Sequence, residues 1–302
     1  MPMLERIAGN RELKQDLKTA LGSGRIAHSI LLVGEPGCGA GFAARCLAAD
    51  YLYPNGGPHA EAVLRGQDTE SIVVRGEGAS GQIKVEAIRD ARQNIQKSAL
   101  SSDAEGRVLF IYGAQNLNGA SANAMLKIME EPPEGVMFLL TASSAAAVLP
   151  TIRSRCVSFA VAPVSPEECA QWCIGQGVDK KQARLYSELF DGHIGTVLAA
   201  ARDDARREQV EKALTLAKAA AAHDSYAAAV LLAGYEKDKA AAAALLGDFR
   251  AVAAAGLRGC ASTPLTADAA RRALSLADAA IQRLTAQVNP KITLSVLAAK
   301  LG

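Results

Sequence analysis

The chain reads Ser29-Ile-Leu-Leu-Val33, then Gly34-Glu-Pro-Gly-Cys-Gly-Ala-Gly41, then a helical pattern from Phe42 to Asp50. An apolar run, a glycine-rich turn and a helix in that order outline a phosphate-binding loop, whose template GxxxxGK[ST] begins at Gly34 and puts its second glycine at Gly39. The next two positions handle charge: a lysine reaches the β- and γ-phosphates, and a Ser or Thr holds magnesium. They are Ala40 and Gly41 here. What remains, Gly34, Pro36, Gly37 and Gly39, offers backbone N–H groups and a helix N-terminus that attract an anion only weakly. The loop is therefore expected to be vestigial and empty, with no cofactor. The competing reading of the same residues is an ordinary strand-to-helix turn.

Three further runs, Ser71 to Val74, Val108 to Ile111 and Val136 to Thr141, alternate with helical patterns, which implies a parallel α/β sheet. The runs are nearly all apolar, as expected of strands covered by helices on both faces. In a working phosphate site the third run ends in a metal-binding Asp, often followed by a Glu that orients the attacking water. Here Val108-Leu-Phe-Ile111 is followed by Tyr112, Gly113, Ala114 and Gln115. Neither Tyr112 nor Gly113 replaces a carboxylate, so two separate parts of a hydrolytic site are missing together. Lys84 and Glu86 are substitutes only in the loosest sense.

Between the third and fourth runs, Ala120 to Glu131 carries Ala122, Met125, Leu126 and Met129 at helical spacing, with Asn118 as N-cap and Pro132-Pro133 as terminator. Glu130 and Glu131 then sit at the helix end, where the dipole disfavours them. Such a conflict marks either function or a solvated helix end. Farther on, Leu149-Pro-Thr-Ile-Arg-Ser-Arg-Cys156 sets a charged tripeptide after the apolar run. In an extended segment Arg153 and Arg155 would point to opposite sides.

A chain of 302 residues, 50% hydrophobic, can bury a sizeable core and divide into two or three domains. A formal charge of +2 is too small to predict nucleic-acid binding by bulk electrostatics and is silent about local faces. Met1 to Asn10 lacks the apolar core of a signal peptide, and no later segment runs about 18 residues without charge, so a cytoplasmic protein with no membrane partner is expected. The six cysteines form no CxxC pair. Cys169 and Cys173 are one helical turn apart with no second pair nearby, which favours packing over a metal.

After Pro163 the pattern changes. Pro166 to Gly175 and Lys180 to Phe190 read as short amphipathic helices, followed by Gly192, Gly195 and another helix, which gives a small helical domain. From about Arg202 the chain is rich in Ala and Leu, with breaks near His223 to Ser225, Gly256 to Thr263 and Asn289-Pro290, as in an all-α domain. Alanine buries little area, so these helices pack closely with one another or with a partner subunit.

Taken together, Ala122-Asn-Ala-Met-Leu-Lys-Ile-Met-Glu-Glu-Pro-Pro133, the run Val136 to Thr141 and Leu149 to Cys156 resemble the clamp-loader branch of the AAA+ family. Ile7-Ala-Gly-Asn10 and Gly24-Arg-Ile-Ala-His-Ser29 add a weaker likeness; after about residue 205 only helical character matches. The resemblance implies an α/β AAA+ domain with a central parallel sheet over 1–162, a small helical lid over 163–204 and a helical collar domain over 205–302. Members that hydrolyse ATP keep the loop lysine and the carboxylates; this chain departs at Ala40, Gly41, Tyr112 and Gly113. Many relatives also carry a four-cysteine zinc module between the first two strands, which this chain lacks. The resemblance further implies a five-membered assembly with ATPase subunits and a delta-type subunit, acting on a sliding clamp and primed DNA. In it Arg155 reaches the ATP site of a neighbour, and Thr141 and Ser143, where relatives place a polar sensor, are left to packing or capping. The other readings are an ATP-hydrolysing motor subunit and a protein-binding module outside replication.

Overall fold

The four runs and one further segment become strands in the computed structural model, which describes residues 2–22, 28–78, 81–96 and 101–302. In chain order they alternate with helices: α1 (Arg11–Gly22), β1 (Ser29–Val33), α2 (Ala40–Leu52), α3 (Pro58–Arg65), β2 (Ser71–Arg75), α4 (Val85–Ile95), β3 (Arg107–Tyr112), α5 (Gly119–Glu130), β4 (Val136–Ala142), α6 (Pro150–Arg153) and β5 (Val157–Ala160). The sheet is parallel throughout, in the order β2-β3-β4-β1-β5.

The central strands are apolar on both sides because both sides are covered. Ile30, Leu32, Phe110, Met137 and Leu139 pack toward α1, α2 and α3, while Leu31, Leu109, Ile111, Phe138 and Leu140 pack toward α4 and α5. The edges depart from the expectation of uniform burial: Val73 of β2 is 44% exposed, and Val157 of β5 is 45% exposed. Exposure also explains why β5 escapes a reading based on apolar runs. Its sequence, Val157-Ser-Phe-Ala160, has only one covered face to fill.

The elements end where local chemistry ends them. Asn118 caps α5 by accepting from the Ser121 N–H while the Ser121 hydroxyl accepts from the Asn118 N–H, a reciprocal capping box. The Asn10 side chain bonds both backbone groups of Ala162, at 3.0 Å each, and so ties the segment before α1 to the chain leaving β5.

The chain divides into two compact units, Met1–Val164 and Ser165–Gly302. The second is all helix: α7 (Pro166–Gly175), α8 (Lys180–Leu189), α9 (Ile194–Arg202), α10 (Asp204–Ala221), α11 (Ser225–Ala233), α12 (Lys239–Leu257), α13 (Ala267–Thr285) and α14 (Pro290–Leu301). Gly195 lies inside α9 instead of preceding it, and a further break at 234–238 separates α11 from α12. Asp203 closes α9 and caps α10 through the N–H groups of Ala205 and Arg206. Residue 204 thus falls at the very start of α10. Cys169 and Cys173 are buried on α7, and their thiols hydrogen-bond each other, which brings Cys169 down to about 7 and drives Cys173 up.

α12 is long and apolar enough to cross a membrane by composition, but half of that stretch is buried in the fold, packed against α10 and α13. Its Asp248 is buried and takes both guanidinium nitrogens of Arg206 and the amide of Gln209 at 2.8 Å, while Arg206 also lies over the Phe190 ring at 5.7 Å. Removing one partner of a buried pair strands the other. Asp248→Ala is expected to lower unfolding stability by about 2–4 kcal/mol in a urea titration, and Asp248→Asn by less because it keeps its shape and an acceptor; equal losses would show that the charge alone, and neither packing nor the remaining acceptor, holds the site.

Candidate functional site

Ligands of open parallel sheets bind beyond the C-terminal ends of the strands. Parallel pairing puts Tyr112 of β3 level with Thr141 of β4, and Thr141 level with Leu32 of β1, so the turn after β1 and the end of β3 flank the same edge. The turn keeps its outline. Gly39, at φ 97°, caps α2 from the left-handed region with no side-chain bond, and Ala43 N–H donates to its carbonyl at 2.8 Å. Gly34 N–H donates to Ala142 O at 3.0 Å, and Cys38 N–H to Glu35 O at 3.0 Å, with Pro36 and Gly37 between them. Cys38 is buried, and burial pushes its thiol up, with Glu35 adding to the effect.

Tyr112 follows Phe110 by two residues and so points to the same face of the sheet, the face covered by α2. Its ring stacks with Phe110 at 5.6 Å between centroids, and a Cβ on residue 41 would lie 3.3 Å from its Cε1. Arg45, one turn along α2, and Arg75, whose guanidinium lies 5.6 Å from the ring centre, both bring positive charge to Tyr112. Burial raises the Tyr112 pKa; the two arginines partly offset that. A side chain at position 41 would thus run into an aromatic ring. Lys84 and Glu86 lie at the start of α4, and Lys84 pairs with Glu77 at 3.6 Å.

Thr141 is buried and its hydroxyl accepts from the Gly113 N–H at 3.2 Å, which locks the ends of β3 and β4 together. Ser143 is exposed; the cap of the following turn is Ser144, which accepts from the Ala146 N–H at 3.2 Å. Packing explains Thr141, while capping belongs to the neighbour of Ser143.

The stretch 149–156 is not extended. Pro150–Arg153 form one helical turn, closed by Arg155 N–H to Ile152 O at 3.1 Å and Cys156 N–H to Arg153 O at 3.2 Å. The alternation expected of Arg153 and Arg155 therefore does not apply. Arg153 donates to the Ala145 carbonyl at 3.1 Å instead of to a carboxylate. Arg155, 40% exposed, donates to Thr151 O at 3.2 Å and to Glu130 Oε1 at 2.5 Å. Three residues that matter here escape a sequence reading: Arg45, Arg75 and the pairing of Glu130. The one available signal is the coincidence of a missing side chain at Gly41 with an enlarged one at Tyr112.

Sheet order, glycine turn and helical second unit together give this chain a P-loop AAA+ fold. The protein-family model described as DNA polymerase III, delta subunit, matches residues 9–165, more than half of the chain, and the chain belongs to that family. It is 29% identical over 197 residues to DNA polymerase III subunit gamma of Buchnera aphidicola, a match covering 62% of this chain and 54% of that protein. It is 26% identical over 199 residues to DNA polymerase III subunit delta' of Bacillus subtilis, covering 64% and 59%. The chain thus spans only a little over half of these relatives. The crystal structure of a DNA polymerase III gamma subunit-related protein from Thermotoga maritima shares the fold, with TM-score 0.53 at 18% identity over 94% of this chain and 98% of that one.

The contact between Tyr112 and Gly41 makes a stability prediction. Gly41→Thr overpacks against the ring and is expected to cost roughly 1–3 kcal/mol, while in a Tyr112→Ala background the same change costs at least about 1 kcal/mol less. Strict additivity in thermal or urea unfolding would contradict the contact.

Proposed function

We propose that this chain is a delta-prime-type, non-catalytic subunit of a DNA polymerase III clamp loader in the bacterial cytoplasm. It supplies Arg155 in trans to the ATP site of a neighbouring subunit and binds no nucleotide of its own. The observation that carries the proposal is the Tyr112 ring set against Gly41, at the place where a catalytic subunit needs room for phosphate and magnesium. Ala40 leaves no lysine in that turn, and Arg45, the nearest cation on α2, is engaged with Tyr112. The role of Arg155 is supported by its exposure on a tight turn outside that closed site. Charge on transferred phosphoryl oxygens needs a stabilising cation where water is excluded, and a planar, permanently charged guanidinium suits that task.

On this reading helices from residue 163 to 204 serve as a lid and those from 205 to 302 as a collar joining ATPase subunits and a delta-type subunit. The assembly opens a sliding clamp and places it on primed DNA. A groove between α4 and α5, of about 290 Å³ and lined by Arg89, Arg92, Lys127 and Asn123, offers three cations to the phosphate backbone. Neutralising all three is expected to flatten the dependence of log affinity for DNA on log salt by about 2–3 in the assembly; an unchanged slope places DNA elsewhere.

The finger is tested in the assembled loader with DNA and clamp. Arg155→Ala is expected to lower hydrolysis at the neighbouring site by about 10³ to 10⁵, seen as loss of that site's share of a single-turnover burst at unchanged assembly. A full burst from an intact assembly would leave the chain a scaffold.

A further inference from the structure

We infer that Glu130 is the positioning residue for Arg155, an inference that rests on the proposed role of that arginine. A long arginine side chain on the surface samples many rotamers, and misplacement of a charge by even an ångström weakens its effect in a transition state. Two contacts restrict it here: Nη1 donates to the Thr151 carbonyl at 3.2 Å and Nη2 to Glu130 Oε1 at 2.5 Å. A guanidinium has five N–H donors, so three stay available for phosphoryl oxygens.

The two anchors come from elements fixed in one core. α5 buries Met125, Ile128 and Met129 on the face of the sheet where α6 buries Ile152. The capping box at Asn118 and Ser121 sets the start of α5, and Pro132 and Pro133 follow its end, so Glu130 sits at a defined point, the last residue of the helix. Folding alone gives no reason for a carboxylate there, since the last turn of a helix disfavours negative charge. An ion pair as exposed as this one, with 40% of Arg155 and 49% of Glu130 accessible, adds little to stability. What it does add is a fixed direction for the guanidinium, braced between the end of one helix and the turn of another.

Interactions made only in the transition state change kcat and leave KM alone. In the assembled loader with DNA and clamp, Glu130→Ala is expected to lower kcat at the neighbouring site roughly 2- to 10-fold, with KM for ATP and the affinity of assembly unchanged. Glu130→Gln, which keeps an acceptor oxygen without the charge, falls between that variant and the wild type, and Glu131→Gln, a charge-matched control at the next position, leaves kcat as it was. If Glu130→Ala leaves kcat unchanged or raises it, or shifts KM alone, while Arg155→Ala abolishes hydrolysis at the neighbouring site, the positioning role is overturned and the finger stands. If Arg155→Ala has no effect, the finger reading fails and the inference with it.

Discussion

The ring of Tyr112 resting on the first turn of α2 is the contact on which the functional account depends. β1 and β3 are separated by β4, so the glycine turn and the end of β3 stand two strand spacings, roughly 10 Å, apart. A carboxylate at the end of β3 leaves that interval open for phosphate and metal, whereas an aromatic ring spans it. Alternation along β3 directs Phe110 and Tyr112 to one face, and the ring ends against Gly41 because that residue carries no side chain. The two positions form one packing solution: the absence of a side chain at 41 leaves room for the ring.

The region around Arg155 follows the opposite logic. Its polar groups are exposed, its backbone is a tight helical turn instead of a strand, and its charge is countered by a carboxylate from another element. The ring of Tyr112 lies against the turn after β1, while Arg155 is presented to the outside. That division, apolar closure within and a braced guanidinium at the surface, is what a subunit needs if it serves chemistry carried out on a neighbour.

Much of this was legible in the sequence because it is local. The glycine turn, the four apolar strands and the cap at Asn118 each declare themselves within a few residues, and the missing lysine and carboxylate are read by position. What stayed hidden is non-local or weakly apolar. β5 is an edge strand with one covered face, so Val157-Ser-Phe-Ala160 carries no apolar run. The turn at 150–153 contains a proline that suits the first position of a helix as well as a loop. Gly195 sits inside α9 where packing overrides propensity. Glu130 reads as a mild conflict with its helix dipole until the fold brings Arg155, 25 residues later, to its side. The Tyr112 contact depends on strand order, which no local pattern encodes.

Titration of the isolated chain with magnesium-ATP by calorimetry decides whether the turn after β1 holds nucleotide. No saturable binding at millimolar nucleotide and no release of phosphate are expected, because the lysine is absent and the Tyr112 ring lies against Gly41. Tight, magnesium-dependent binding with turnover would contradict that expectation and make this chain a motor subunit in its own right.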